Sequence, residues 1–135
     1  MRSRGLLAII LLASAFGGAQ AYAHHSVTAQ FDLKKWIPAT AVLVDVRAIN
    51  PHSQWTFEIK NKAGAAETWH FEGENPAMMR RSGIRVREDL VVGKAYDITY
   101  SPSLNGSASG LMTSIKVNGK LVRMSPPLAS SPVQP

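Results

Sequence analysis

Apolar and polar residues alternate along several short segments of the chain, and this alternation constrains the fold more than any other feature. In the segment 54–60, Trp55, Phe57 and Ile59 fall on one face and polar residues fall between them. Side chains of a β-strand point to opposite faces in turn, so a period of two indicates a strand with one buried face. The segment is therefore predicted to be a strand at the surface of a core.

A second alternating segment follows after a turn. Asn61 to Gly64 supplies turn residues, and the segment 67–73 then repeats the pattern with Trp69 and Phe71 on its inward face. Two alternating segments joined by a short turn that contains glycine predict a β-hairpin.

The first predicted strand runs from Thr40 to Ile49 and is rich in β-branched residues. The alternation puts Val42, Val44 and Val46 on one face. Asn50-Pro51 ends the strand, because proline has no N–H to donate to a ladder and restricts the residue before it.

One short helix is predicted after the hairpin. Asn75 is a helix-capping residue type, Pro76 suits the first helical position, and Gly83 marks the end. Residues 86–93 are then predicted to turn the chain without forming a helix.

Three further strands are predicted after this turn. Tyr96, Ile98 and Tyr100 share one face of the segment 94–101, with Ala95, Asp97 and Thr99 as the alternative inward face. A flexible loop is predicted at 102–110, strands are predicted at 111–117 and 120–124, and Asn118-Gly119 between them is a strong hairpin turn.

Three strands, one helix and two or three further strands predict an all-β domain over residues 39–124. The order is that of a small five- to six-stranded OB-like barrel with one short helix between strands 3 and 4. A small β-roll or sandwich is the alternative architecture.

The amino terminus has the features of an export signal. Arg2 and Arg4 precede an apolar run at 5–16, and Ala21-Tyr22-Ala23 provides a cleavage site. We expect residues 1–23 to be a signal peptide removed after Ala23, or alternatively after Ala21, and the protein to be periplasmic or secreted. Residues 24–38 are predicted to be an irregular leader, and the Pro/Ser-rich segment 125–135 a disordered tail.

Composition narrows the partners that we expect. The chain has no cysteine, so neither a disulfide nor a thiol-linked lipid anchor is available. Without Arg2 and Arg4, 13 of the 15 basic residues remain against nine acidic ones. The one basic cluster, residues 80–87, is read as a solvated helix end. We therefore expect no nucleic-acid partner, and no membrane span after cleavage.

Two histidines next to the cleavage site suggest a metal site. Cleavage after Ala23 makes His24 the new terminus, where the amine and the imidazole can chelate one ion, and His25 follows directly. Such a set of nitrogen ligands suits Cu(II). Cleavage after Ala21 makes His24 the third residue, where amine, amides and imidazole form a square-planar site. The alternative is a leader that binds nothing.

Two further histidines lie in the predicted domain. His52 follows Asn50-Pro51 in a loop and is the candidate third ligand, beside His24 and His25. Alternation directs His70 away from the neighbouring rings, so we expect it on the outer surface. Among the methionines, which are potential Cu(I) ligands, Met78 and Met79 are expected to fill the end of the barrel.

No motif of a hydrolase or a phosphate-binding loop is present, so we expect no enzymatic activity. The sequence favours an exported, non-enzymatic binding protein with a copper site at a terminal histidine. The alternative is a metal-free OB-like module that binds a protein, glycan or small ligand through the loops at 50–53 and 101–110.

Five short motifs follow one another along the chain: Ala23-His24-His25-Ser26, Phe31-Asp32, Asn50-Pro51-His52, Trp69-His70-Phe71-Glu72-Gly73 and Asn75-Pro76. In this order they resemble a family of small exported bacterial proteins of unknown function. The resemblance extends from Ala23 to about Leu121. It implies a single periplasmic domain and no particular activity.

Overall fold

The computed structural model describes residues 28–124, so the predicted signal, His24, His25 and the predicted tail lie outside the described residues. Most of the described chain is β-strand. The elements are β1 (Ile37–Arg47), β2 (Ser53–Lys60), β3 (Ala66–Gly73), α1 (Pro76–Arg81), α2 (Val86–Asp89), β4 (Ala95–Pro102), β5 (Ser109–Val117) and β6 (Lys120–Arg123).

The strands form one sheet that closes on itself. Their order is β3-β2-β1-β4-β5-β6, with antiparallel neighbours throughout, and β3 also pairs with β5 in parallel. This last pairing closes a five-stranded barrel and leaves β6 as an additional strand beside β5. The predicted all-β, OB-like barrel is confirmed, with α1 between β3 and β4.

Aromatic side chains fill the inside of the barrel. Trp55 and Phe57 stack with ring centroids 6.1 Å apart, and Phe57 meets Phe71 edge-on at 6.0 Å. Phe71 in turn packs against Tyr100 at 4.9 Å. The predicted inward faces of β2, β3 and β4 are therefore correct, and they meet in one continuous core.

The first strand differs from the prediction in both its bounds and its buried face. Ala41 and Leu43 are buried, whereas Val44 is 41% exposed. The register of β1 against β2 shifts between Leu43 and Asp45. Such a bulge inserts an extra residue and changes which side chains point inward, so Val46 beyond it packs against the core. The valine pattern alone could not reveal this shift.

The predicted helix is present with its predicted cap, because the Asn75 side chain accepts a hydrogen bond from the Met78 N–H at 3.0 Å. A second helix, α2, occupies part of the segment predicted to be only a turn. Its single turn is fixed by Asp89, which accepts a hydrogen bond from the Arg85 N–H at 2.8 Å and pairs with the Arg85 guanidinium at 3.1 Å. These hydrogen bonds from Arg85 lower the pKa of Asp89. Among residues 28–124, no helix is long and apolar enough to cross a membrane.

The turn between β5 and β6 has the predicted form. Asn118 and Gly119 both have positive φ angles, of 50° and 80°. Two successive residues of this kind are typical of the type I′ turn that fits the twist of a hairpin. This turn sets the register in which β6 pairs with β5.

A matched pair of substitutions in β1 tests the shifted face. Leu43→Ala should lower the free energy of unfolding by about 2–4 kcal/mol, because it empties a fully buried position. Val44→Ala should lower it by less than about 1 kcal/mol, since this side chain is substantially exposed. Urea denaturation measures both values, and a larger loss for Val44→Ala would contradict the described register.

Candidate site at the end of the β2–β3 hairpin

Two segments that are far apart in sequence meet where β2 begins and β3 ends. Ser53, the first residue of β2, lies opposite Gly73, the last residue of β3. The Ser53 N–H also donates a hydrogen bond to the Glu74 carbonyl oxygen at 3.3 Å. The segment Asn50 to His52 therefore lies against the segment Glu72 to Asn75, although about 20 residues separate them in the chain.

Close packing around Gly73 fixes this arrangement. The buried Trp55 indole N–H donates a hydrogen bond to the Ser53 hydroxyl at 2.8 Å. A Cβ atom on Gly73 would lie 2.7 Å from Trp55 Nε1, 2.9 Å from Ser53 Oγ and 3.0 Å from Met124 Cε. Because these distances are shorter than ordinary contacts, only glycine leaves room for the indole–hydroxyl hydrogen bond.

An imidazole and a carboxylate contact each other beside this packed turn. His52 Nδ1 lies 3.1 Å from Glu72 Oε2, and the two side chains are 46% and 40% exposed. In the neutral tautomer in which Nδ1 carries the hydrogen, the carboxylate accepts it, and the lone pair of Nε2 remains as an acceptor or a metal ligand. A carboxylate that orients an imidazole in this way is a recurrent feature of histidine ligands to metals.

A second carboxylate lies close to the same imidazole. Partial burial of Glu74 raises the pKa of its carboxyl group, while electrostatic attraction to His52 acts in the opposite direction. The raised pKa means that the neutral form of Glu74 is more favoured in the folded than in the unfolded protein, and a nearby cation would favour its ionised form. The end of the hairpin thus combines one imidazole with two carboxyl groups, Glu72 in direct contact with it and Glu74 partly buried nearby.

His70 lies on the outer surface of β3, as alternation predicts. Its Nδ1 lies 3.4 Å from Thr56 Oγ1 on the neighbouring strand, and its backbone N–H donates a hydrogen bond to the Ala108 carbonyl oxygen at 3.0 Å. Ala108 belongs to the β4–β5 loop (residues 103–108). This loop and the β1–β2 loop (residues 48–52) therefore both border β3, as the loops around the ligand-binding face of an OB-fold do.

The β4–β5 loop is held by local hydrogen bonds. Asn105 Oδ1 accepts from the Ser103 hydroxyl at 2.8 Å and from the Ser107 N–H at 2.9 Å. Leu104 at its tip is exposed. The β4–β5 loop is therefore ordered by its own hydrogen bonds and presents the apolar side chain of Leu104 to solvent.

The predicted metal ligands are only partly described. His52 is exposed beside Glu72, whereas His24 and His25 lie outside the described residues. Within residues 28–124, no three His, Cys, Asp or Glu side chains are grouped so that they could hold a metal ion. Among the methionines, Met79, Met112 and Met124 are buried in the core, and Met78 is exposed rather than filling the barrel end.

Comparison with known proteins identifies a family but no characterised relative. Residues 11–116, about four fifths of the 135-residue chain, match the sequence model of a family of unknown function. The chain belongs to this family, DUF6152. No curated protein and no solved structure matches it.

The geometry of this DUF6152 member includes functional candidates that sequence reasoning missed. In the sequence, Glu72 and Glu74 stand only as two charges around a strand-to-helix turn, and their approach to His52 depends on the register of β2 against β3. Local sequence carries no signal for a contact across a hairpin. Once Ser53 is known to lie opposite Gly73, the contact between the Asn50-Pro51-His52 turn and the segment that begins at Glu72 follows directly.

Substitution of Gly73 tests how much the close packing at this turn contributes to the stability of this DUF6152 member. Gly73→Ala should lower the free energy of unfolding by about 2–3 kcal/mol, because the added methyl group displaces the indole or the hydroxyl. Gly64→Ala is the control, since Gly64 has a positive φ but no atom within 4 Å of the added Cβ. Gly64→Ala should lower the free energy of unfolding by about 1 kcal/mol, because only backbone strain is added. Thermal and urea unfolding measure both, and equal losses would refute the packing argument.

Proposed function

We propose that this protein is an exported, non-enzymatic binding protein that holds a copper ion between its processed amino terminus and His52. Export is supported by the basic start, the short apolar run and the Ala-x-Ala site near residue 23. Cleavage there creates an amine beside His24 and His25, two imidazoles in a row. These nitrogen ligands suit Cu(II), and His52 is the proposed third imidazole.

The contact between His52 and Glu72 is the observation that carries this proposal. The imidazole is exposed, and the 3.1 Å contact at Nδ1 orients the ring. An imidazole that is oriented through its Nδ1 loses less freedom when it binds an ion than a mobile one does.

Copper titration of the secreted full-length protein tests the proposal. Its intact mass should show a terminus at His24 or Tyr22. Acetylation of the terminal amine and His52→Ala should each weaken Cu(II) binding by at least tenfold, since each removes one nitrogen ligand. Glu72→Gln should weaken it by about tenfold, because the imidazole loses its orienting partner. All affinities should fall as the pH is lowered, since protons compete for the amine and imidazoles.

His70→Ala is the matched control, because it removes an exposed imidazole from the same hairpin and should leave the Cu(II) affinity unchanged. An affinity unaffected by acetylation would exclude the terminal site. An affinity unaffected by His52→Ala would exclude the contribution of the barrel. A native protein that retains its signal peptide, or that begins after His25, would contradict the proposal as a whole.

The second candidate is a metal-free module that binds a protein, glycan or small ligand. It is supported by the position of the two loops that border β3, the β1–β2 loop at Glu72 and the β4–β5 loop at His70. Exposed Leu104 would supply an apolar contact there. If the protein binds copper no more tightly than a scrambled leader peptide, this candidate is favoured over the first.

A further inference from the structure

The second half of β1 has an open edge that neither proposed function uses. The first half of β1 pairs with β4, whereas residues 44–47 pair with β2 alone. The last contact on the β4 side is at Leu43, whose N–H donates to the Lys94 carbonyl oxygen at 3.0 Å and whose carbonyl oxygen accepts from the Gly93 N–H at 2.7 Å. Within residues 28–124, no strand continues beside 44–47 on that side. An open strand edge is a template for pairing with another chain.

The backbone groups of Val46 point toward this open side. In an antiparallel ladder, the residues that exchange hydrogen bonds with one neighbouring strand recur every two residues. The Asn61 N–H donates to the Ala65 carbonyl oxygen at 2.9 Å, and three steps of two residues from this pair lead to Trp55 opposite Phe71. The backbone groups of Trp55 are therefore directed to β3. Because Val46 lies opposite Trp55 on the other side, its own N–H and C=O are directed away from β2.

Two opposite charges flank Val46 along this edge. Asp45 and Arg47 are exposed, and they lie opposite the neutral side chains of Thr56 and Gln54 on β2. Neither forms an ion pair within residues 28–124, where the three ion pairs involve other side chains. If two copies of the edge pair in antiparallel fashion about a twofold axis at Val46, Asp45 of each copy lies directly opposite Arg47 of the other. The edge is therefore complementary in charge to itself.

Charge distinguishes this edge from two other strand segments that have an unpaired side. One is β6, which carries Lys120 and Arg123 and no acidic residue, so a second copy of β6 would bring only like charges. The other is β3 before its pairing with β5, where Glu67 is the one charged residue. Like charges that face each other across strands are destabilising, and opposite charges stabilise the pairing. Of the three edges, the second half of β1 is the one that suits a second copy of itself.

Exposed apolar side chains surround the same edge. Val44 lies in the bulge, and Val91 and Val92 lie in the turn that ends at Gly93, and all three valines are exposed. Ile49, just beyond the end of β1, is exposed as well. The twofold arrangement places the residue before Ile49 of one copy opposite Val44 of the other, so that Ile49 approaches the two valines of the turn. Pairing would therefore remove apolar surface from water as well as match charges.

We propose that two copies of this protein associate through the open edges of β1, in antiparallel fashion about a twofold axis at Val46. The Val46 N–H of each copy donates to the Val46 carbonyl oxygen of the other, and two Asp45–Arg47 pairs form beside these hydrogen bonds. The contact is limited to a short strand and its apolar flanks, so the dimer is weak and reversible. It is independent of the copper proposal, because it uses neither the terminal amine nor His52.

Charge reversal in the processed full-length protein tests this pairing. In analytical ultracentrifugation, Asp45→Arg and Arg47→Asp should each raise the dimer dissociation constant by at least about tenfold, because each turns two attractive pairs into two repulsive ones. The double variant Asp45→Arg/Arg47→Asp should stay within about threefold of the unchanged protein, since the exchanged charges attract again. An equal mixture of the two single variants should form mixed dimers more tightly than either variant dimerises alone.

Two further variants control for net charge. Asp97→Arg and Lys62→Asp make the same changes in net charge at exposed positions on β4 and in the β2–β3 turn. Each should alter the dissociation constant by less than about threefold, because exposed charges away from the contact are screened by salt. Circular dichroism should show that every variant remains folded, since only exposed side chains change. Equal losses in the control and edge variants would overturn the proposal, because net charge alone would then explain association.

Hydrogen exchange of the unchanged protein gives an independent measurement. The Val46 amide should exchange at least about fivefold more slowly in concentrated than in dilute protein, because the second copy accepts its hydrogen bond. The Arg47 amide, which is directed to β2, should exchange at the same rate at both concentrations. A protein that remains monomeric at millimolar concentration would overturn the proposal. A dimer in which the Val46 amide gains no protection would overturn it too, because the contact would then lie elsewhere.

Discussion

Closure of the barrel depends on one close approach, where β3 pairs in parallel with β5. Phe71 lies opposite Gly110 at this point. A Cβ atom on Gly110 would lie 2.7 Å from the Ser101 carbonyl oxygen and 3.2 Å from Phe71 Cδ1. The missing side chain allows Phe71 to pack against Tyr100 inside the barrel. Without this contact β3 would be an edge, with a row of backbone groups open to water.

Closure also determines which loops surround the candidate site. The β3–β5 pairing holds the β4–β5 loop next to His70 through the Ala108 carbonyl oxygen. Pairing of β3 with β2 brings Glu72, two residues after His70 on β3, to His52. Glu72 and His70 are thus held on a paired strand, and the loop residue His52 is oriented by its contact with Glu72. Such rigidity reduces the loss of conformational freedom when a ligand binds.

The sequence predicts the elements of the barrel well but their contacts poorly. Local patterns determine the β2–β3 hairpin, the capped helix and the Asn118-Gly119 turn, because each depends on residues that are close in the chain. The bulge after Leu43 depends on pairing with β2, so the regular valine pattern gave the wrong buried face. The short α2 depends on a single side chain, Asp89, that contacts the backbone of Arg85.

The candidate site shows the same division between local and long-range information. His52 and His70 stand out as residue types, and alternation places His70 outside the barrel. Their partners, Glu72 and Thr56, follow only from the register between β2 and β3. The position of a histidine in the sequence gives little information about function. The contact of His52 with Glu72, and its proximity to Glu74, suggest a ligand role that can be tested.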